Sequence, residues 1–137
     1  MFFQVCEGFA YLRKKGIIHR DLKPSNILIH NKTYKIADFG VAKTEQLNKS
    51  LVYSDIVGVP IYMSPQILSR NYYSYKCDVW SLGVIMFEYY FERMPWKATD
   101  VNDLFFQIMS NPEPYFEESG QLPHIIRSIF DNTLKYL

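Results

Sequence analysis

Two short polar clusters carry the residues best suited to chemistry: His19-Arg20-Asp21-Leu22-Lys23-Pro24-Ser25-Asn26 and, further along, Asp38-Phe39-Gly40. Asp21 and Lys23 set a carboxylate that can accept a proton two residues from a cation. Taken alone, an Asp-x-Lys pair is more often a solvated surface pair. Asn26 and Asp38 offer hard oxygen donors, the kind magnesium takes while keeping several waters, with manganese an acceptable substitute; zinc would ask for His or Cys. Taken alone, Asn26 reads equally as a turn residue and Asp38 as a cap at the start of a loop. Asp78, at the head of an apolar stretch, reads on its own as a dipole-favoured residue in the first turn of a helix.

The elements that must position these groups follow from periodicity. Phe2, Val5, Phe9 and Leu12 recur at helical spacing, and Gly16 closes the run like a C-cap, which predicts a helix over 2–15. Ile27-Leu28-Ile29 and Tyr34-Lys35-Ile36-Ala37 are β-prone runs around the polar stretch 30–33, so the two clusters flank a predicted hairpin. From Asp38 to about Pro65 no period is sustained, and Gly40, Gly58 and Pro60 punctuate a long loop, a kind that is usually functional or disordered. Residues 75–92 are apolar nearly all round, the mark of a helix at the centre of a domain. Asp100 can cap a helix over about 101–110, stopped by Asn111-Pro112, and Ile125, Ile126, Ile129 and Phe130 suggest another running toward Leu137. The expected class is mainly α with small β-hairpins.

Composition narrows the partners. The 137 residues suit one domain, and 48% hydrophobic with 21% charged residues suits a buried core. A net charge of +1, with no run of like charge, gives no footprint for nucleic acid or an anionic membrane. Cys6 and Cys77 stand alone and far apart, which suggests neither a disulfide framework nor a zinc site and favours a reducing, cytoplasmic home. Residues Met1 to Leu12 lack the basic start and cleavage site of a signal peptide, and the longest apolar stretch, Val79 to Phe87, is too short to span a bilayer, so no transmembrane segment is expected.

Together the two clusters resemble the catalytic loop and magnesium-binding motif of eukaryotic protein kinases. Ten matched positions arise by chance with odds on the order of 10⁻¹³ per starting point, taking ordinary residue usage. The resemblance continues in family order through Gly58-Val59-Pro60, Ser64-Pro65-Gln66 and Asp78-Val79-Trp80-Ser81-Leu82-Gly83, and so covers essentially the whole chain as residues 1–137 of a partial kinase domain. Lys23 followed by Pro24 is similar to the serine/threonine branch. The stretches 60–65, 80–83 and 91–96 are similar to the Unc-51-like, autophagy-initiating kinases.

What the resemblance implies is specific. Asp21 would orient and deprotonate a protein serine or threonine hydroxyl while Lys23 reaches the γ-phosphate of ATP. Ser25, Asn26, Leu28 and Asp38 would join Lys23 in holding ATP, with Leu28 beneath the adenine, although Leu28 reads as well as a plain core residue. Asn26 and Asp38 would ligate the metal. His19, Phe39 and Gly40 would hold the two motifs in register, and Asp78 would accept backbone hydrogen bonds from the catalytic loop. Arg20 would pair with the activation segment, where Asp55 stands at a position that many relatives give to a phosphorylated threonine; Ser54 or Tyr53 is the alternative regulatory residue.

Three departures temper the resemblance. The glycine-rich loop, strand lysine and helix glutamate of the family's small lobe have no counterpart in these residues, so the chain is expected to be an inactive fragment by itself. Gln66 replaces a glutamate, and Val59 stands where most serine/threonine kinases place a hydroxyl that bridges the positions of Asp21 and Lys23. These departures leave open a pseudokinase or scaffold that binds partners without catalysis.

Overall fold

The computed structural model describes residues 1–44, 58–70, 74–114 and 124–134. Helix α1 spans Phe2–Lys14 and buries Val5 and Leu12 of its apolar stripe. Gly16, at φ +65°, turns the chain out of it, a conformation that glycine adopts at no steric cost. Strands β1 (Ile17–Ile18), β2 (Ile27–His30), β3 (Thr33–Ile36) and β4 (Lys43–Thr44) form two antiparallel pairs, β1 with β4 and β2 with β3.

The hairpin forms with a tighter turn than the polar stretch suggested. His30 pairs with Thr33, leaving Asn31 and Lys32 as a two-residue loop in which both have positive φ. That turn has the twist which antiparallel strands prefer. The backbone N–H of Tyr34 donates to Gln4 Oε1 at 2.8 Å, fixing the hairpin to α1. The pair β1–β4 and the short helix α2 (Pro65–Leu68) fall outside the sequence reading, because each is too brief to show a period. The stretch expected to be one long loop therefore opens with a strand and, where its description resumes at Gly58, holds a 3₁₀ turn over Pro60–Tyr62.

Helix α3 (Lys76–Phe91) is the central element, with Trp80, Val84, Ile85 and Phe87 buried. Helix α4 (Val101–Ser110) starts at Asp100, whose Oδ1 accepts from the backbone N–H groups of Asn102 and Asp103 at 2.8 and 3.0 Å. Helix α5 (His124–Thr133) lies against α3 so closely that a methyl group on Gly83 would sit 2.7 Å from Thr133 Cβ. Trp80 and Trp96 stack with ring centroids 5.4 Å apart, and Leu104, Ile108 and Phe130 complete this core. A second cluster of Ile18, Met63, Ile67 and Cys77 lies under the first polar loop. The architecture is mainly helical, as its composition and periods imply. No helix among the described residues is long and apolar enough to cross a membrane.

Candidate active site

The loop between β1 and β2 is anchored from beneath by α3. Asp78, almost completely buried, accepts the backbone N–H of His19 at Oδ2 (2.8 Å) and that of Arg20 at Oδ1 (2.9 Å). Burial pushes the Asp78 carboxyl above its ordinary range, and the two backbone hydrogen bonds oppose that rise. Beside it, burial first and the neighbouring Asp78 charge second push the Cys77 thiol well up. Ser81, one helical turn further along α3, donates to the Tyr62 carbonyl at 2.8 Å and joins the same helix to the segment after Gly58.

His19 is wholly buried and works in two directions. Its Nε2 lies 3.0 Å from the Ala37 carbonyl, while its Nδ1 accepts from the Asp21 backbone N–H at 3.3 Å. These partners assign the proton to Nε2. Its ring also meets Phe39 edge-on, with centroids 5.0 Å apart. One imidazole thus spans from the first polar cluster to the second. Arg20, at φ +70°, donates from Nε to the Val41 carbonyl at 2.7 Å.

Asp21 stands at the focus, its side chain about 12% exposed. Its Oδ2 takes Lys23 Nζ at 2.7 Å and Asn26 Nδ2 at 3.2 Å. Asn26 Nδ2 also donates to the Asp21 carbonyl at 2.8 Å. Both donors therefore converge on one oxygen, and Asp21 Oδ1 accepts no hydrogen bond from the described residues. A free lone pair on a pinned carboxylate can accept a proton from a hydroxyl placed against it.

The hairpin joins Asn26 to the second cluster. Ile27 pairs with Ile36, and the Ala37 N–H donates to the Asn26 carbonyl at 2.9 Å, so Asn26 and Asp38 emerge from the same end of the β2–β3 pair. Asp38 has φ +65° and is exposed, and its Oδ1 accepts the Gly40 N–H at 3.3 Å. With the Asn26 amide nitrogen committed to Asp21, the side-chain oxygen is the atom left for a cation. That oxygen and the Asp38 carboxylate form a hard-donor pair of the type a magnesium or manganese ion takes alongside water and phosphate oxygens. The residues present fit such an ion.

Two expectations need qualification. Leu28 is 54% exposed, so it is not a core residue among the described residues; it stands opposite Lys35 in a strand whose Leu28, Ile29 and His30 are all exposed. Ser25 is exposed within the 3₁₀ turn over Pro24–Asn26. Asp55, Ser54 and Tyr53 lie outside the described residues. Sequence reasoning read Gly58 as loop punctuation and as part of the Gly58-Val59-Pro60 stretch that extends the resemblance, and missed it as a neighbour of Asp21. It also missed the Tyr62 hydroxyl, which donates to Glu88 Oε2 at 2.8 Å. Burial, followed by that carboxylate, pushes the Tyr62 hydroxyl far above its usual range. No local spacing links residues 62 and 88; only the packing of a loop on α3 does.

Comparison with known proteins decides what this arrangement is. The family model of the protein kinase domain matches residues 1–135. The chain belongs to the protein kinase family. It is 34% identical to the mouse serine/threonine-protein kinase Nek4 over 93% of its own length and 16% of that protein. It is 38% identical to the Arabidopsis thaliana serine/threonine-protein kinase TIO over 84% of its length and 9% of that protein. To the human serine/threonine-protein kinase ULK1 it is 37% identical over 74% of its length and 10% of that protein. The chain thus spans less than a fifth of the length of these relatives. All three are serine/threonine kinases by name, which agrees with the branch that Lys23-Pro24 suggested, and similarity is shared between ULK1 and kinases of other names.

Proposed function

We propose that the protein containing this kinase region transfers the γ-phosphate of ATP to serine or threonine hydroxyls of protein substrates. The observation that carries the reading is the Asp21 carboxylate, held at one oxygen by Lys23 and Asn26 while the other accepts no hydrogen bond from the described residues. Asp21 is the proton acceptor for the incoming hydroxyl. Lys23, already paired with Asp21, is the cation nearest the reacting groups and stabilises the transferring phosphoryl. Asn26 and Asp38 hold magnesium or manganese, which when bound neutralises phosphate charge. Ser25 and Leu28 border the nucleotide on the hairpin side, the exposed Leu28 offering its apolar face to the adenine. A cytoplasmic location fits the two free thiols, Cys6 and Cys77.

The decisive test is Asp21→Asn in a kinase completed with a small lobe. Loss of the proton acceptor is expected to lower turnover by about 10²–10⁴-fold with the affinity for Mg-ATP retained. Turnover at the wild-type rate would overturn the assignment, and a completed wild-type kinase with no phosphoryl transfer would favour the scaffold reading. Residues 1–137 alone are expected to show negligible transfer, because positioning can supply about 7–11 kcal/mol and the small lobe shares that work.

A further inference from the structure

Gly58 carries more than a turn. At φ +110° its backbone crosses the open side of Asp21, where a methyl group would lie 2.8 Å from Asp21 Oδ1 and 3.2 Å from the Arg20 carbonyl oxygen. Neither neighbour can retreat easily. Asp21 Oδ2 is held by Lys23 and Asn26, and the Arg20 backbone is held by Asp78. Any side chain at position 58 would therefore cover the one Asp21 oxygen that accepts no hydrogen bond from the described residues.

We propose that Gly58 is a positioning residue which keeps Asp21 Oδ1 open, so that the two carboxylate oxygens divide their work: Oδ2 anchors and Oδ1 receives the substrate hydroxyl. The inference rests on the reading of Asp21 as proton acceptor, but the access it describes can be measured without catalysis. With no side chain at position 58, Asp21 Oδ1 is spared the 2.8 Å contact a Cβ there would make, and only the Gly58 backbone stands beside that oxygen and narrows the approach to it.

The experiment uses the 137-residue chain, its carboxyl groups coupled to an amine by a water-soluble carbodiimide and mapped by mass spectrometry. Labelling at Asp21 is read as a ratio to labelling at Asp38, which is exposed and serves as the internal reference. Gly58→Ala is expected to lower the Asp21:Asp38 ratio about tenfold, the equivalent of about 1.4 kcal/mol of lost access. An unchanged ratio overturns the proposal. A raised ratio also overturns it, because a glycine needed only for folding would expose Asp21 when replaced. A second measurement needs no variant: in the wild-type chain a compact carbodiimide must label Asp21, relative to Asp38, faster than a bulky one, and equal ratios refute the narrow approach. In the completed kinase, Gly58→Ala is expected to lower kcat about 10²-fold while the Kd for Mg-ATP stays unchanged. If Asp21→Asn proves silent there, the catalytic reading fails by itself; if Asp21→Asn abolishes turnover and Gly58→Ala does not, the positioning role alone fails.

Discussion

His19, Arg20 and Asn26 are buried, and each is tied by hydrogen bonds to another part of the chain, whereas Asp38, Phe39 and Gly40 stand exposed across the same hairpin. The first group inherits its geometry from α3: Asp78 takes two backbone donors, and the imidazole of His19 carries that order on to Asp21 and Ala37. The second group is shaped by its own short loop, through the hydrogen bonds from the Gly40 N–H to Asp38 and from the Ala42 N–H to the Phe39 carbonyl, and by the contact of the Phe39 ring with His19. A group that must hold one proton-transfer geometry gains from buried hydrogen bonds formed in advance. On the proposed reading Asp38 would meet a solvated ion and its nucleotide, and access would serve that role. The contrast predicts that damage to the first region costs stability and damage to the second costs ligand binding alone.

The largest effect is expected at Asp78. Asp78→Ala leaves the His19 and Arg20 N–H groups without their acceptor in a buried place, and each lost partner costs about 1–3 kcal/mol, so a loss of about 2–6 kcal/mol is expected in urea unfolding. Asp78→Asn keeps one acceptor oxygen and should lose less. The pH dependence has a definite sign. Because burial raises the Asp78 carboxyl pKa in the folded chain, the folded state binds its proton more firmly than the unfolded state does. Its contribution is then greatest at low pH and declines as pH rises through the folded pKa, in a window just above the ordinary carboxyl range. Urea midpoints of wild type relative to Asp78→Asn should fall across that window and level off above it. A flat difference would show that Asp78 is not strained by burial.

Next in size is the reactivity of the thiol beside it. Cys77 is buried in the braced region, with its pKa pushed well up, while Cys6 is exposed on α1. In the native chain a thiol reagent should modify Cys6 about 100-fold faster than Cys77, equivalent to about 2.7 kcal/mol in favour of the closed form. Partial desolvation raises the Cys6 pKa as well, so neither thiol is activated and the comparison is chiefly one of access. Asp78→Ala should bring Cys77 toward the Cys6 rate. Equal rates in the wild type would mean that the loop above α3 opens as readily as a helix surface.

The same contrast explains what was legible in the sequence. Long periodic elements were: α1 and α4 lie where apolar spacing and the Asp100 cap place them, and the all-round apolar run became the buried α3. The hairpin was legible because β-prone runs flank a polar turn, and its two-residue loop needed only the positive φ of Asn31 and Lys32 to be settled. The candidate residues were legible as types. Their connections were not, since Asp78 reaches residues 19 and 20, and Tyr62 reaches Glu88, across long stretches of chain. The exposure of Leu28 was equally hidden, because Ile27, Leu28 and Ile29 are alike in hydropathy, yet Leu28 and Ile29 are both exposed and Ile27 is not. Gly58 was legible as a loop glycine within the Gly58-Val59-Pro60 stretch, but its approach to Asp21 was not, since the two are far apart in the chain.

The smallest stability effect is expected at Asp38, and it is the sharpest test of the contrast because it predicts almost nothing. Asp38→Asn removes the charge but keeps an oxygen that can accept the Gly40 N–H, and asparagine tolerates the left-handed backbone at φ +65° at least as well as aspartate does. The side chain is exposed and no described residue outside its own loop bonds to it, so the urea midpoint should shift by no more than about 0.5 kcal/mol. In the completed kinase the same substitution should weaken nucleotide binding in the presence of magnesium and leave metal-free nucleotide binding nearly unchanged, since only the ion loses a charged ligand. Calorimetric titration with and without magnesium measures both. A stability loss above about 1 kcal/mol would place Asp38 in the braced region with Asp78 and end the division drawn between the two sides of the hairpin.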